Sequence, residues 1–466
     1  MSGRRGAIFS AVGLVMLAGC ASVPRDGGLG DVQQVLRDRS SPSVEWRPEP
    51  SDRDDDRVPA MLDGELDADQ AVAVALINNP RVQIALAELG IARADLIAAS
   101  TVRNPILGGE IRFPGSPARP YEVTITQTLF DLAQLPRRRQ AGRAAFEAAK
   151  LRVAADLLDF AAEVRADYYG LLAATQHVGL NRTILEAAAS GAELAQRQHA
   201  AGNITDLDLE NEQARYEQAK LDLARSEEEA LLRRETIVRA MGLRDAAVEL
   251  GIAAEFPPAP VEEDAEADLL ELARARRLDV AAARHEVEAL ERLLPASRLR
   301  EIGDLDAGFH VEREPDGEHT SGPALELPLP VFNRGRAGRE RATAELIRSR
   351  QRLALLDAAV GSELRSVRER LLAARARVEY YRDVVLPRRE RIVALTQLEH
   401  NAMQAGVFQL LQSKQNEADA RRDYIEAQRD YWIARGDLDR TVNGGGAELA
   451  PATRSIERSN GGWGGN

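Results

Sequence analysis

The chain offers few side chains capable of covalent chemistry, and one of these sits in a specific setting. Cys20 is the single cysteine, so no intrachain disulfide can form. It closes Leu17-Ala18-Gly19-Cys20, after a basic Arg4-Arg5 and an apolar run from Ala7 to Leu17. That order reads as a cleaved export signal ending in a lipobox, too short for a good transmembrane helix. The chemistry is acylation: the mature chain starts at Cys20 with lipid on its sulfur and amino group. Ala21 follows, which in bacterial lipoproteins favours passage to the outer membrane. Several acyl chains, at about 0.8 kcal/mol per buried CH₂, hold such an N-terminus on a membrane.

The six histidines, His177, His199, His285, His310, His319 and His400, are dispersed. His285-Glu286 lacks the second histidine of a zinc-protease helix, and neither a phosphate-binding loop nor a nucleophile elbow is present. His310, Glu312, Glu314, Asp316, Glu318 and His319 gather around one loop, where a polar outward loop is the simpler reading than a cation site. No catalytic group, cofactor or metal centre is expected. The net charge of -13 argues against nucleic acid as a partner, because no basic stripe exists to neutralise phosphates. Arg137-Arg138-Arg139 and Arg388-Arg389 read as solvated or membrane-proximal charge.

Long rods must position whatever these residues do. Between Pro136 and Pro257 there is no proline, and a polar break at Ala201-Gly202-Asn203 separates two helical runs. Leu157, Ala161, Val164, Tyr168 and Leu171 alternate in steps of four and three, the mark of one apolar seam. A helix from about Arg137 to His199 would be roughly 95 Å long. It cannot bury its seam inside a compact ball and needs equally long neighbours. A matching seam runs Leu353, Leu356, Val360, Leu364, Val367, Leu371, Ala374, Val378, Tyr381, with a bend expected at Pro387.

Ile106 to Phe113 and Tyr121 to Phe130 read as strands joined by Pro114-Gly115-Ser116-Pro117. Leu305, Ala307, Phe309 and Val311 mark a third, and Leu325, Leu327, Leu329 and Val331 a fourth. Strands of about ten residues, apolar on one face and polar on the other, suit a bilayer on one side and a wet lumen on the other.

The pattern occurs twice. Val82 and Val280 are 198 apart, Phe130 and Phe332 202, and Gly202 and Gly406 204. An internal tandem duplication follows. The expected organisation is an export signal 1–19, a lipidated and extended linker 20–64, a first repeat 65–256, a linker 257–266, a second repeat 267–443 and a disordered tail 444–466. Four strands cannot close a barrel, and open sheet edges are not tolerated in hydrocarbon.

On these features the chain resembles TolC-type outer-membrane efflux proteins from about Leu66 to Asn443. The motifs are Ala75-Leu76-Ile77-Asn78-Asn79-Pro80, the two hairpins, Leu329-Pro330-Val331-Phe332-Asn333-Arg334-Gly335 and the two Ala-Gly breaks. The Leu-Pro-Val-Phe-Asn-Arg segment and Asp423-Tyr424-Ile425-Glu426-Ala427 through Tyr431-Trp432 are most similar to the heavy-metal and cation branch. The resemblance implies a mostly α fold with a small β part: long antiparallel helices forming an α-barrel, plus four transmembrane strands per chain in a shared trimeric β-barrel. It implies a homotrimer in outer-membrane lipid, fed by a periplasmic adaptor and an inner-membrane pump, acting as a passive exit duct rather than an enzyme.

The family's gating positions fall six and nine residues after the second glycine. Here they hold Gln412 and Gln415, where acids are usual, and Asp208 stands six after Gly202 as a candidate partner in that network. Gly202 and Gly406 are the candidate helix-tip contacts for the adaptor. The alternative is a periplasmic coiled-coil scaffold without a pore, which the four alternating strands argue against.

Overall fold

The computed structural model describes residues 26–39, 41–47, 57–113, 120–244, 250–260, 262–299, 305–314, 316–328, 331–332 and 335–444. The export signal, Cys20 and the tail beyond Gly444 lie outside the described residues. In order come α1 (Leu29–Arg37), α2 (Arg57–Leu62), β1 (Glu65–Leu66), α3 (Ala68–Asn78), α4 (Pro80–Ser100), β2 (Ile106–Ile111), β3 (Tyr121–Thr128), α5 (Leu129–Ala200) and α6 (Asp206–Ala240). Then follow β4 (Gly251–Ile252), α7 (Glu266–Arg276), α8 (Leu278–Leu299), β5 (Asp306–Arg313), β6 (His319–Glu326), α9 (Arg336–Tyr380), a π turn (Tyr381–Val385), α10 (Leu386–Asn401) and α11 (Val407–Asn443). At 72 residues, α5 is about 108 Å of helix. Among the described residues no helix is long and apolar enough to cross a membrane.

The chain divides into two compact units. The first takes in the described residues up to Asp38, Gln83–Ala154 and Leu278–Ala358; the second takes in Arg39–Val82, Ala155–Arg277 and the described residues from Ala359 on.

The first unit holds one four-stranded antiparallel sheet in the order β2-β3-β5-β6. The two hairpins join through β3 and β5, with Tyr121 opposite Arg313 and Thr128 opposite Asp306. The edges, β2 and β6, are left without a neighbour among the described residues.

In the second unit the predicted seams are buried. Leu157, Ala161, Val164, Tyr168 and Leu171 on α5 are all in the core. From α9, Leu364, Val367, Leu371, Ala374 and Val378 pack with Ala427, Tyr431, Leu438 and Val442 of α11 and with Leu269 of α7. Aromatics thicken this core: Tyr169 stacks on Phe256 and on Trp432, with centroids 6.1 and 5.4 Å apart.

Asp67 caps α3 through a capping box with Gln70. Asn79 and Pro80 end α3 and start α4 as expected, and Asn79 serves three elements at once. Its side-chain oxygen accepts from the Arg81 amide at 2.8 Å, while its Nδ2 donates to Ala240 O at 2.7 Å. Asn78 Nδ2 donates to Gly242 O at 2.9 Å, so two carboxamides satisfy carbonyls left over at the C-terminus of α6. Gly242 has φ +71°, and a Cβ there would lie 2.8 Å from Asn78 O, so both conformation and space require glycine.

Several boundaries differ from the sequence reading. The fourth strand sits earlier, at His319–Glu326, because a turn with Gly317 at φ +94° sets the hairpin register. Leu327 and Val331 lie past it, and Leu329 is outside the described residues. Pro323 lies in β6, an edge strand of the single chain, where a missing amide disturbs only one ladder. β2 stops at Ile111, and β3 gives way at Thr128 to α5, which runs through Pro136. The run from Leu269 to Leu294, which holds no proline or glycine and reads as one helix, is broken at Arg277, where ψ is 117°. The Arg277 guanidinium is fully buried and donates to Glu363 at 2.6 Å. At Pro387 the chain does more than bend: the preceding π turn absorbs the missing amide. The segment expected to be an extended linker contains α1, with Val32 and Leu36 buried and Asp31 paired with Lys150. One apolar pair at i, i+4 anchors so short a helix but gives too little periodicity to detect.

The linker 257–266 is tied down by Glu263, whose side chain is only 6% exposed. It accepts from Tyr431 OH at 2.7 Å and pairs with Arg435 at 2.5 Å and Arg375 at 3.4 Å. Glu263→Ala would leave two arginines and a phenol facing an empty, water-poor pocket. The expected loss is roughly 3 kcal/mol, measured as a lowered denaturant midpoint. A change below about 0.5 kcal/mol, the level of a surface pair, would show that the node is solvated.

Candidate functional site

Two regions carry the functional candidates: the sheet of the first unit and the helix tips of the second. On the sheet, alternation and register sort the side chains. Leu107, Ile125 and Phe309 line up across three strands, as do Val123 and Val311 across two; Ile125 and Phe309 are exposed to solvent in the single chain. The other face carries Thr124 opposite His310 and Glu110 opposite Glu122, itself opposite Glu312. Arg112 reaches all three carboxylates of that row, Glu110 at 2.8 Å and Glu122 and Glu312 at 3.6 Å. Asp306, bonded by Thr128 Oγ1 at 2.5 Å, and Glu326 opposite it add acid at the other end of the same face. Among the described residues no group of histidine, cysteine, aspartate and glutamate could hold a metal ion.

The tips are two helix–turn–helix corners. In the first, α5 ends and Gly202 adopts φ +75°; Gly202 N donates to His199 O at 2.8 Å and Asn203 N to Gln198 O at 2.9 Å. This is a left-handed helix cap. Thr205 then caps α6 in a box with Asp208, whose carboxylate accepts from Thr205 N at 3.2 Å and Thr205 Oγ1 at 2.8 Å. In the second corner the left-handed position is held by Met403 at φ 60°, with Met403 N bonded to His400 O at 2.9 Å and Gln404 N to Glu399 O at 2.8 Å. Gly406 has an ordinary φ of -72° and stands as the residue before α11. Structurally, then, Gly202 matches Met403 and Gly406 matches Thr205, both 201 residues apart, and the Ala-Gly to Ala-Gly match of the sequence reading is a coincidence of composition. Both glycines do lie at the tips.

Beside the tips, a groove of about 340 Å³ runs between α11 and the α5–α6 pair. Ile184 and Ala188 of α5, Ala219 of α6 and Leu411 and Ala418 of α11 give it an apolar floor. Gln412 and Gln415 both line it, whereas Asp208 does not; its carboxylate is occupied in the capping box. Gln412 and Gln415 donate along their own helix to Asn416 at 3.3 Å and Asp419 at 3.1 Å. Each amide keeps its carbonyl for another partner.

The groove has charged walls that the sequence reading missed. Glu212 is buried, which pushes its carboxyl up from the ordinary range, and Arg215 at 3.1 Å opposes the shift. Burial acts on Glu417 in the same direction, but bonds from Arg421 at 3.0 Å and Lys414 at 3.2 Å outweigh it and hold that carboxyl below the usual range. The i, i+3 and i, i+4 spacing of these pairs was the available signal. Further along, Asn181 bridges helices, donating to Asp222 O at 3.3 Å and accepting from Arg422 at 3.2 Å. Burial lowers the His177 imidazole, with Arg422 and Arg429 adding to the effect against Glu426, which lies 3.5 Å away.

Comparison with known proteins fits this geometry. The pattern of the outer membrane efflux protein family matches residues 71–243. The cobalt-zinc-cadmium resistance protein CzcC of Cupriavidus metallidurans is 24% identical over 386 residues, 81% of this chain and 86% of that protein. Two solved structures share the fold. A membrane protein from Pseudomonas aeruginosa has a TM-score of 0.69 at 19% identity, over 87% of this chain and 97% of that one. The outer membrane protein VceC of Vibrio cholerae has a TM-score of 0.66 at 16% identity, over 81% and 96%. The mostly helical fold with a small β part is therefore that of the outer membrane protein VceC.

The corners predict opposite responses to paired substitutions. Gly202→Ala should weaken its corner and Met403→Gly strengthen the other, each by about 1 kcal/mol, the usual cost of a side chain in the left-handed region. Hydrogen exchange at the Asn203 and Gln404 amides reads each corner separately, and equal responses would refute the cap assignment.

His177 gives a pH prediction with a definite sign. Its folded-state pKa lies below the unfolded value, so the unfolded chain binds the proton first. Stability contributed by neutral His177 is complete above about pH 6.5 and declines as pH falls through that value. His177→Gln should flatten the melting temperature profile between pH 7 and 5 relative to wild type. An unchanged slope would mean that the imidazole is solvated.

Proposed function

We infer that this chain, a TolC-type member of the outer membrane efflux protein family, is the outer-membrane exit duct of a tripartite efflux system. An inner-membrane pump supplies energy and a periplasmic adaptor hands over the substrate, so the duct needs a path and a gate but no catalytic group. The observation that carries this reading is the sheet, with its apolar face, its acid-rich face and its two edges that lack partners among the described residues.

Three copies would close a twelve-stranded barrel, β6 of one chain pairing with β2 of the next. Ile84 and Ile91, one heptad apart on α4 and exposed in the single chain, supply apolar surface for helices to associate around the same axis. Two tandem repeats, 65–256 and 267–443, joined by 257–266, account for the paired hairpins. Cys20 carries the lipid anchor. The tips at Gly202 and Gly406 are where the adaptor docks.

The acid-rich face favours cations as cargo. Glu110, Glu122, Glu312, Asp306 and Glu326 face one arginine, Arg112, so each chain contributes a net charge of four negatives to the lumen. Rings of like charge select counter-ions. CzcC, named for cobalt, zinc and cadmium resistance, points to heavy-metal cations within that class. At the tips, Gln412 and Gln415 would close the pore by hydrogen bonds between amides rather than by an acidic ring.

Planar-bilayer recordings test the reading. Wild-type protein should show a low, steady closed-state conductance with cation preference. Glu110→Gln, Glu122→Gln and Glu312→Gln together should lower the cation-to-anion permeability ratio severalfold, while Gln412→Ala with Gln415→Ala should raise the closed-state conductance. A protein that inserts no pore and runs at the same gel position before and after heating would be a scaffold instead.

A further inference from the structure

Where the strands give way to helices, the same outward stripe changes character abruptly. Leu129 continues the apolar face of β3, and α5 extends it through Leu132 and Pro136, all exposed. The residue after Pro136 is Arg137, about 7.5 Å beyond Leu132 along the helix. From Asp131 to Arg143 there are four arginines against one aspartate, in a chain whose net charge is -13. The second exit follows the same order: Val331 and a fully exposed Phe332, then Arg336 and Arg341 at the start of α9.

These arginines are not all alike. Arg103 and Arg138 are occupied, holding the buried Asp131 at 3.1 and 3.5 Å. Arg137 is exposed and makes no ion pair or hydrogen bond among the described residues. Arg336 reaches Glu340 only at 3.9 Å, and Arg341 pairs within its own helix at 3.0 Å. Arg137 and Arg336, free or weakly held, and the exposed Arg341, paired only within its own helix, thus sit just past the apolar band, at the end of the sheet opposite the hairpin turns.

We propose that Arg137, Arg336 and Arg341 form a collar that binds anionic phospholipid headgroups in the membrane leaflet facing the helices. The apolar residues before them set the depth, and an exposed aromatic at the boundary is the usual marker of the interface. Guanidinium groups bind phosphate in bidentate fashion, so the collar would select lipid by headgroup charge. Each such cation near an anionic surface is worth about fivefold in partitioning. The proposal rests on the sheet being membrane-inserted.

The test uses full-length protein reconstituted in vesicles of phosphatidylcholine and phosphatidylglycerol at three to one. After extraction in mild detergent, the retained lipid is measured by mass spectrometry. Wild type should keep phosphatidylglycerol severalfold enriched over the bulk ratio, less so at high salt. A variant carrying Arg137→Gln, Arg336→Gln and Arg341→Gln should keep the bulk ratio, and one with lysine at all three positions should regain part of the enrichment. Heat-dependent gel mobility checks that each variant is assembled. Wild type retaining lipid at the bulk ratio, or enrichment surviving in the glutamine variant, overturns the collar alone. Wild type failing to insert at all overturns the duct as well.

Discussion

A backbone amide or carbonyl in hydrocarbon has no water to bond, and in the proposed duct this one constraint organises the sheet. The sheet satisfies its inner strands β3 and β5 on both sides and leaves β2 and β6 each with one bare side. Among the described residues neither edge is covered. In the proposed trimer, pairing β6 with β2 of an identical neighbour would cover both without new sequence, because one complementary junction repeats around the ring. In that assembly the helices, whose termini are fixed to the strands, would associate too. The seam from Leu157 to Leu171 is already buried within one chain, so that association would draw on surface left exposed, such as Ile84 and Ile91.

How much of this was legible depends on how many residues encode each feature. The seams were readable because five to nine apolar residues repeat at a fixed step, and every member identified on α5 is buried. The hairpins were readable from alternation, yet the register of β6 was not. Its apolar residues Leu325 and Leu327 drew the strand too far along, while Gly317 in a left-handed conformation had already fixed the turn. The break at Arg277 was hidden for a different reason: no proline or glycine marks it, and it depends on a buried guanidinium finding Glu363, 86 residues away. The one signal in the sequence is the repeat itself, whose offset of 198 sets Arg277 opposite Asn79, where the first repeat breaks.

The tips show the limit most clearly. Matching Ala201-Gly202 to Ala405-Gly406 used composition as a guide to geometry. The backbone shows that the strained position in the second corner is occupied by Met403, almost wholly exposed at 96%, and that Gly406 does the work of a helix cap. Asp208 was singled out as a gate candidate from its distance to a glycine; its carboxylate is engaged in ending a turn. The groove, by contrast, gathers Gln412 and Gln415 with buried Glu212 and Glu417, whose charges come from helices far apart in sequence.

Stiffness is distributed accordingly within the second unit. Around Glu263 the packing is aromatic and the polar groups are shared among three elements, α9, α11 and the linker, so opening there would expose several buried charges together. Near the tips the floor is alanine and short aliphatic chain, the Gln412 and Gln415 amides bond within their own helix, and Lys414 to Glu417 follows the helix, although Arg421 also crosses to Glu390 of α10 at 2.9 Å. Contacts that stay inside one helix are kept when that helix swings, whereas contacts between helices are lost. The proposed duct, if it is held fixed around Glu263 and opened at the tips, would need that gradient of local stability. The gradient comes from where the chain spends its aromatic residues and cross-helix ion pairs, with no hinge sequence required.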